Sequence, residues 1–277
     1  MMEYNRKVLA QLIVDKILEN KDKAQKQYAE SRDQIGYFFI DDLLPENLAR
    51  QFYDAFPDPA TMTLKNNIRE RKYIAVQMDQ YDPMLEEIVY AFQEPQIVAL
   101  IGQITGIDGL LPDANLYAGG ISMMGNGHYL NPHLDNSHDK DRARWRVLNL
   151  LYYVTPDWQT AHGGNLELWP DGMAGKPLTI TSKFNRLAVM ATHQRSLHSV
   201  SPISFEGNRC CISNYYFSEN PLLPDDTFHV TSFRARPGNR LSDVVLRLDV
   251  WLRMKIRKIF SKGIKENPHV YKKEVEK

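Results

Sequence analysis

Apolar residues in the first thirty positions recur at helical spacing. Leu9, Leu12, Ile13, Ile17 and Leu18 share one side of a 3.6-residue repeat, which predicts an amphipathic helix from residue 5 to about 29. The stretch FFIDDLLPENLARQFYDAFPD (38–58) opens as a short apolar strand. It continues as a helix with Pro45 near its first turn and Pro57 and Pro59 at its end. Residues 83–106 predict two more helices, broken at Pro95. From residue 115 the period changes. LYAGGISMM, WRVLNLLYYV, NLELW, LTITS, NRLAVMA and RCCISNYYF are short, rich in β-branched and aromatic residues, and separated by Gly, Pro, Asn and Asp. No helical repeat interrupts them between 116 and 217. This order predicts an α+β chain with a mainly β core: a double-stranded β-helix, or jelly roll, with the N-terminal helices packed on one sheet.

After Pro221, SDVVLRLDVWLRMKIRKIF (242–260) predicts a basic C-terminal helix with Ser242 as N-cap. Val244, Leu248, Trp251, Leu252, Ile256 and Ile259 form its apolar face, and Arg247, Arg253, Lys255, Arg257 and Lys258 charge the rest. Two readings stay open: an amphipathic helix packed on the core, or contact with an anionic partner such as a membrane surface. No internal repeat, low-complexity tract or long linker divides the chain. One elaborated domain is expected, with an N-terminal helical region (1–114), a jelly-roll core (115–220) and a C-terminal helical extension (221–277).

Charge narrows the partners. Lys+Arg and Asp+Glu both number 34, so the chain as a whole has no field that would draw nucleic acid. Its only cysteines, Cys210 and Cys211, are sequence neighbours that cannot form an ordinary disulfide, and the N-terminal apolar pattern is interrupted by Asp15 and Lys16. Both features predict a cytoplasmic protein rather than an exported one.

The chemistry gathers around NPHLDNSHD (131–139). Alternate strand residues project to the same side, so His133 and Asp135 present an imidazole and a carboxylate to one metal ion. His128, His138, His162, His193 and His198 all lie in the β region as candidate third ligands. Two histidines and a carboxylate on one face of iron leave open positions for a bidentate co-substrate and dioxygen. Arg209 heads a predicted strand, and a buried guanidinium calls for an anion that matches its fork. Cys211 and Ser213 share its face; Asn149, Leu151 and Tyr153 alternate onto one face of the neighbouring strand. Gly163 and Gly164 make a turn. Arg142, Arg144 and Arg146 are either a solvated face or a greeting for an anionic substrate, and at least two of them are expected to be solvated.

The ordered set GNGHYLNPHLDNS, LNLLYYVT, GGNLELWP, NRLAVMATHQRSLHSVSP and NRCCISNYYF resembles the Fe(II)- and 2-oxoglutarate-dependent dioxygenases, in particular their prolyl 4-hydroxylase-like branch. The resemblance is close over about residues 115–217 and looser over FFIDDLLPENLARQF. It implies His133, Asp135 and His198 as iron ligands, Arg209 as partner of the far carboxylate of 2-oxoglutarate, and Tyr153 and Ser213 beside it. It also implies Fe(II), 2-oxoglutarate and O2 as cofactors, ascorbate as an accessory reductant, and hydroxylation of a peptidyl residue, amino acid or small metabolite with release of succinate. Asp135 argues against halogenation, for which related enzymes carry a small residue there. Relatives often place a tyrosine about ten residues before the first ligand, where this chain has Met123 and Met124. The competing readings are a non-catalytic jelly-roll module, and a cupin-like zinc or manganese enzyme using His133, Asp135, His138 and His198.

Overall fold

The computed structural model describes residues 4–260 and 270–271; the remainder of the predicted C-terminal extension lies outside the described residues. Four helical stretches at the front pack together. The predicted first helix is divided into α1 (Arg6–Glu19) and α2 (Lys21–Ser31). Asn5 starts α1 by accepting from the backbone N–H groups of Lys7 and Val8. Asn20 leaves helical geometry at φ −109°, ψ 6°, and its side chain donates back to the Lys16 carbonyl. Asparagine competes for backbone partners in this way, which ends one helix and lets the next take a new direction. The third stretch is α3 (Glu46–Asp54); the fourth contains α4 (Pro83–Ala91) and α5 (Pro95–Thr105), each with proline in its first turn. Gly106 closes α5 at φ +70°, a left-handed cap that glycine adopts without steric cost.

The strands are β1 (Tyr37–Ile40), β2 (Thr63–Asn66), β3 (Glu70–Ala75), β4 (Leu111–Pro112), β5 (Gly120–Met124), β6 (Tyr129–Leu134) and β7 (Trp145–Tyr153), then β8 (Leu166–Leu168), β9 (Leu178–Ile180), β10 (Arg186–Ala191), β11 (His198–Val200), β12 (Arg209–Ser218) and β13 (Ser232–Phe233). All pair antiparallel in the order β1-β10-β7-β12-β5-β3-β6-β11-β8-β9, with β13 on β6, β2 on β3 and β4 on β12. Few of these neighbours are consecutive in sequence, and the ladder curls until its two halves line one cavity. This is the expected double-stranded β-helix.

The main apolar core lies between the helices and the outer faces of β1, β10, β7 and β12. Leu9, Ile13, Phe52, Leu85 and Ile101 meet Phe38, Val189, Leu150, Tyr152 and Ile212 there, all essentially inaccessible to water. A second cluster, with Leu166, Leu168, Ile180, Met190 and Cys211, lies apart from it, and Leu166 and Cys211 of this cluster also line the cavity.

Two elements depart from the sequence reading. The β2–β3 hairpin was not anticipated, because TLKNNIRERKYIA is dominated by charge; β3 nevertheless inserts between β5 and β6. The C-terminal helix, α6 (Arg240–Ile259), begins one turn or so early: its N-cap is Asn239, whose side chain accepts from the Ser242 N–H, rather than Ser242 itself. Its predicted apolar face does not pack on the core either. Of the whole helix only Leu246 is buried, while Leu248, Trp251 and Leu252 are each more than half exposed. The helix is held through its opposite side, where Asp243 pairs with Arg234 and Asp249 with Arg69 and Arg253.

Candidate functional site

Histidine and carboxylate ligands meet at one end of the barrel. β6 delivers His133, Asp135 follows directly beyond its last residue, and β11 pairs with β6 so that His198 stands opposite His133. Ligand atoms of the three residues all lie within 4.8 Å of one another. Nε2 of His133 is 3.5 Å from Asp135 Oδ1, and Nε2 of His198 is 3.7 Å from Asp135 Oδ2.

The outer nitrogens are committed. His133 Nδ1 is 2.9 Å from the Asn131 carbonyl and His198 Nδ1 is 2.9 Å from the Ser196 carbonyl. A carbonyl only accepts, so each Nδ1 carries a proton and each Nε2 is the nitrogen turned to the cluster. Burial, together with the neighbouring His133, pushes the His198 imidazole down to about 4, so it is neutral at physiological pH. The Asp135 carboxyl is held below the usual carboxylate range although burial opposes this. One of its oxygens has no hydrogen-bond partner. Two imidazole nitrogens and a carboxylate oxygen brought to one point fit a divalent first-row metal with three facial ligands. His133 is further fixed by Phe233 of β13, whose ring stacks on it at 5.0 Å.

A cavity of about 330 Å³ opens from this cluster. Asn149, Leu151 and Tyr153 of β7 and Arg209, Cys211 and Ser213 of β12 all line it, as their alternation required. Arg209 is 4% exposed, and neither its Nε nor its Nη1 has a hydrogen-bond partner. Its Nη2 reaches Met124 Sδ at 3.2 Å, and its guanidinium sits 5.2 Å from the Tyr153 ring centre. Leaving a buried guanidinium half-satisfied is costly unless an anion completes it, so the cavity wall fits a carboxylate of a bound co-substrate. Burial raises the Tyr153 hydroxyl far above its ordinary value, with Arg209 opposing, so it stays a neutral donor. Met124 takes the cavity position of the Met123–Met124 pair, whereas Met123 belongs to the main core.

The glycine pair allows the close approach of the barrel's two sides. A Cβ on Gly163 (φ +80°) would lie 2.0 Å from the Pro202 carbonyl oxygen, and one on Gly164 (φ +69°) would press within 3.3 Å of Arg209 Cδ. Only glycine suits the first position.

The other candidate histidines, His128, His138, His162 and His193, stand apart from the cluster. His138 lies tilted against Trp145 at 4.2 Å and bonds Ser137, and His162 stacks on Phe205 at 3.7 Å. His128 lies against Tyr73, and His193 Nδ1 accepts from the Arg195 backbone. A four-ligand set including His138 is therefore not assembled.

Of the three arginines left open between solvent and an anionic substrate, Arg146 is the one that reaches the cavity, while the residues at the cavity mouth escaped the sequence reading. β7 carries one extra residue at Val147, since Tyr216 pairs with Leu148 and the next residue, Phe217, with Arg146. This bulge reverses the alternation and turns Arg146 toward the cavity, where strict period two would have placed residue 147. Arg146 is buried, donates to the Tyr117 carbonyl at 3.1 Å, and lies 4.0 Å from the Tyr215 ring centre. Arg144 is exposed, and Arg142 lies over Phe228, as expected of outer residues. The mouth is lined by Lys65, Arg69, Glu70 and Lys72 from the hairpin and by Arg253 from α6. Their signal was the alternating K-Y-I-A end of β3, obscured by the charges before it.

Residues 119–217, about a third of the chain, match the 2OG-Fe(II) oxygenase superfamily. No curated protein matches the sequence. Among solved structures, a Pseudomonas putida prolyl-4-hydroxylase is similar at 17% identity and a TM-score of 0.53, covering 70% of this chain and 98% of that one. A prolyl 4-hydroxylase from Phytophthora capsici is similar at 18% identity and a TM-score of 0.53, covering 92% of this chain and 80% of that one. The non-heme alpha ketoglutarate dependent epimerase from nogalamycin biosynthesis shares the fold at 15% identity and a TM-score of 0.50, over 80% of this chain and 89% of that one. The same fold thus houses different reactions, and only the site distinguishes them.

Proposed function

We propose that this chain, whose residues 119–217 match the 2OG-Fe(II) oxygenase superfamily, hydroxylates an unactivated C–H bond of a peptidyl residue, amino acid or small metabolite in the manner of the prolyl 4-hydroxylase-like branch. The observation that carries the reading is Arg209, a buried cation with two unpartnered nitrogens on the wall of the cavity that also holds His133, Asp135 and His198. His133, Asp135 and His198 would hold Fe(II), and Arg209, with Tyr153 and Ser213 beside it, would hold the far carboxylate of 2-oxoglutarate. Bound Fe(II), 2-oxoglutarate and O2 supply the oxidising chemistry, with 2-oxoglutarate leaving as succinate and CO2; ascorbate would restore iron that has become oxidised between turnovers.

The protein's own part is binding, orientation and exclusion of water. The Asn131 and Ser196 carbonyls keep both imidazoles in the ligating tautomer. Leu151, Cys211 and Leu166 give the inner cavity an apolar wall against bulk water. Lys65, Arg69, Lys72 and Arg253 outnumber Glu70 and Asp249 at the mouth, which favours a substrate carrying negative charge. The buried thiols Cys210 and Cys211 fit a reducing cytoplasm.

The test needs no substrate. Metal-free protein is loaded with Fe(II) without oxygen and titrated with 2-oxoglutarate while the visible charge-transfer band of a chelated keto acid is followed. The reading requires the band to appear, and to weaken in Arg209→Ala. Iron binding with no band would leave a metal-binding jelly roll of another function.

A further inference from the structure

α6 is amphipathic in the wrong sense for a helix that simply packs on a protein. Leu241, Val245, Leu248, Trp251, Leu252 and Ile259 fall within about a third of the helix circumference, and all six are more than half exposed. Exposure of this extent along one helix is far from the scattered single apolar residues of an ordinary surface.

The charges are sorted just as strongly. The helix has two acidic residues, Asp243 and Asp249, and both face the body of the protein, paired with Arg234 and with Arg69 and Arg253. Exposed Arg240, Arg247 and Lys258 line one edge of the apolar stripe, and exposed Lys255 falls within it. The outward half of α6 is therefore an apolar strip with one cationic edge, a lysine within it and no carboxylate. Lys255 also lies 5.6 Å from the Trp251 ring centre, so a cation and an indole are presented together.

We propose that α6 is a membrane-docking helix that lies flat in the headgroup layer of an anionic lipid surface. Its leucines and Trp251 enter the acyl boundary, and Arg240, Arg247, Lys255 and Lys258 meet lipid phosphates. Pairing with a second copy of the chain fits less well, because a two-fold axis along the stripe would set Lys255 of both copies together in the seam with no acid between them. The helix stays on the surface: among the described residues no helix is long and apolar enough to cross a membrane. Arg253 of the same helix lines the cavity mouth and donates to the Thr231 carbonyl at 2.7 Å, so the docking element is joined rigidly to the rim of the site.

The experiment uses the full chain with vesicles of phosphatidylcholine alone and of phosphatidylcholine mixed with phosphatidylglycerol, in cosedimentation at low and high salt. Binding is expected to the mixed vesicles, with strong loss in high salt and a blue shift of tryptophan emission that is absent in Trp251→Phe. Lys255→Gln with Lys258→Gln should weaken it about thirtyfold, from roughly 1 kcal/mol for each cation near the surface. Leu248→Gln with Leu252→Gln should abolish it while the melting temperature is unchanged, since both side chains already face water. Equal binding to both vesicle types, or no binding to either, would overturn the proposal. It would fall equally if the leucine variant left vesicle binding intact, or if the leucine variant converted a sedimenting dimer to monomer in a protein that ignores vesicles.

Discussion

His198 stands directly across the β6–β11 pair from His133, their ring centres 4.2 Å apart, although 65 residues separate them in the chain. Each ring turns its Nε2 to the same place because its Nδ1 donates to a backbone carbonyl two residues earlier. His133→Ala, Asp135→Ala and His198→Ala should each weaken metal binding by more than the roughly 10–100-fold that loss of an outer partner costs. Anaerobic calorimetry with Mn(II) or Fe(II) measures this directly. Wild-type affinity in all three variants would remove the cluster from consideration as a metal centre.

Arg209→Ala should raise the half-saturating 2-oxoglutarate concentration by at least about thirtyfold, the lower end of roughly 2–5 kcal/mol for a lost buried charge partner. Metal affinity should stay near wild type, because Arg209 does not contact the three ligands. The keto-acid titration read against metal calorimetry separates the two effects.

Burial pushes the Asp113 carboxyl up to about 6 from 3.8, with Arg146 and the Tyr117 and Asn115 backbone opposing. A raised folded-state value means that stability is greatest below the unfolded value and is lost as pH rises through about 6. The loss is of order 3 kcal/mol. Asp113→Asn should remove this dependence between pH 4 and 6 and raise the melting temperature at pH 7. Thermal melts across that range would show it; parallel curves for both proteins would refute the assignment.

Gly163→Ala would place a methyl carbon against the Pro202 carbonyl and force a residue with φ +80° into a conformation that L side chains rarely adopt. A loss of about 3 kcal/mol or more is expected, or roughly 6–12 °C in melting temperature. Gly172→Ala is the control: its Cβ meets nothing within 4 Å, so only the cost of its φ of +62° remains.

Much of the site was legible because strand geometry is local. Period two alone places Asn149, Leu151 and Tyr153 on one face and Arg209, Cys211 and Ser213 on another, and the cavity contains both sets. The same rule failed one step further along β7. The bulge at Val147 depends on how β12 pairs with that strand, and no local pattern announces that Arg146 turns inward.

The sequence by itself determined the strand-rich core, the His-x-Asp pair, the arginine-headed strand and the amphipathic character of α6. Each follows from covalent spacing and residue type within about ten positions. Tertiary structure decided which histidine completes the cluster, since His138 is nearer in sequence but packs on Trp145, while pairing of β11 with β6 delivers His198. It also decided that the charged β2–β3 hairpin would complete the sheet and line the cavity mouth, and that α6 would turn its apolar side to the solvent. Periodicity says that a helix has two faces; ion pairs of Asp243 and Asp249 with arginines distant in the chain or on the next turn select the one that meets the protein.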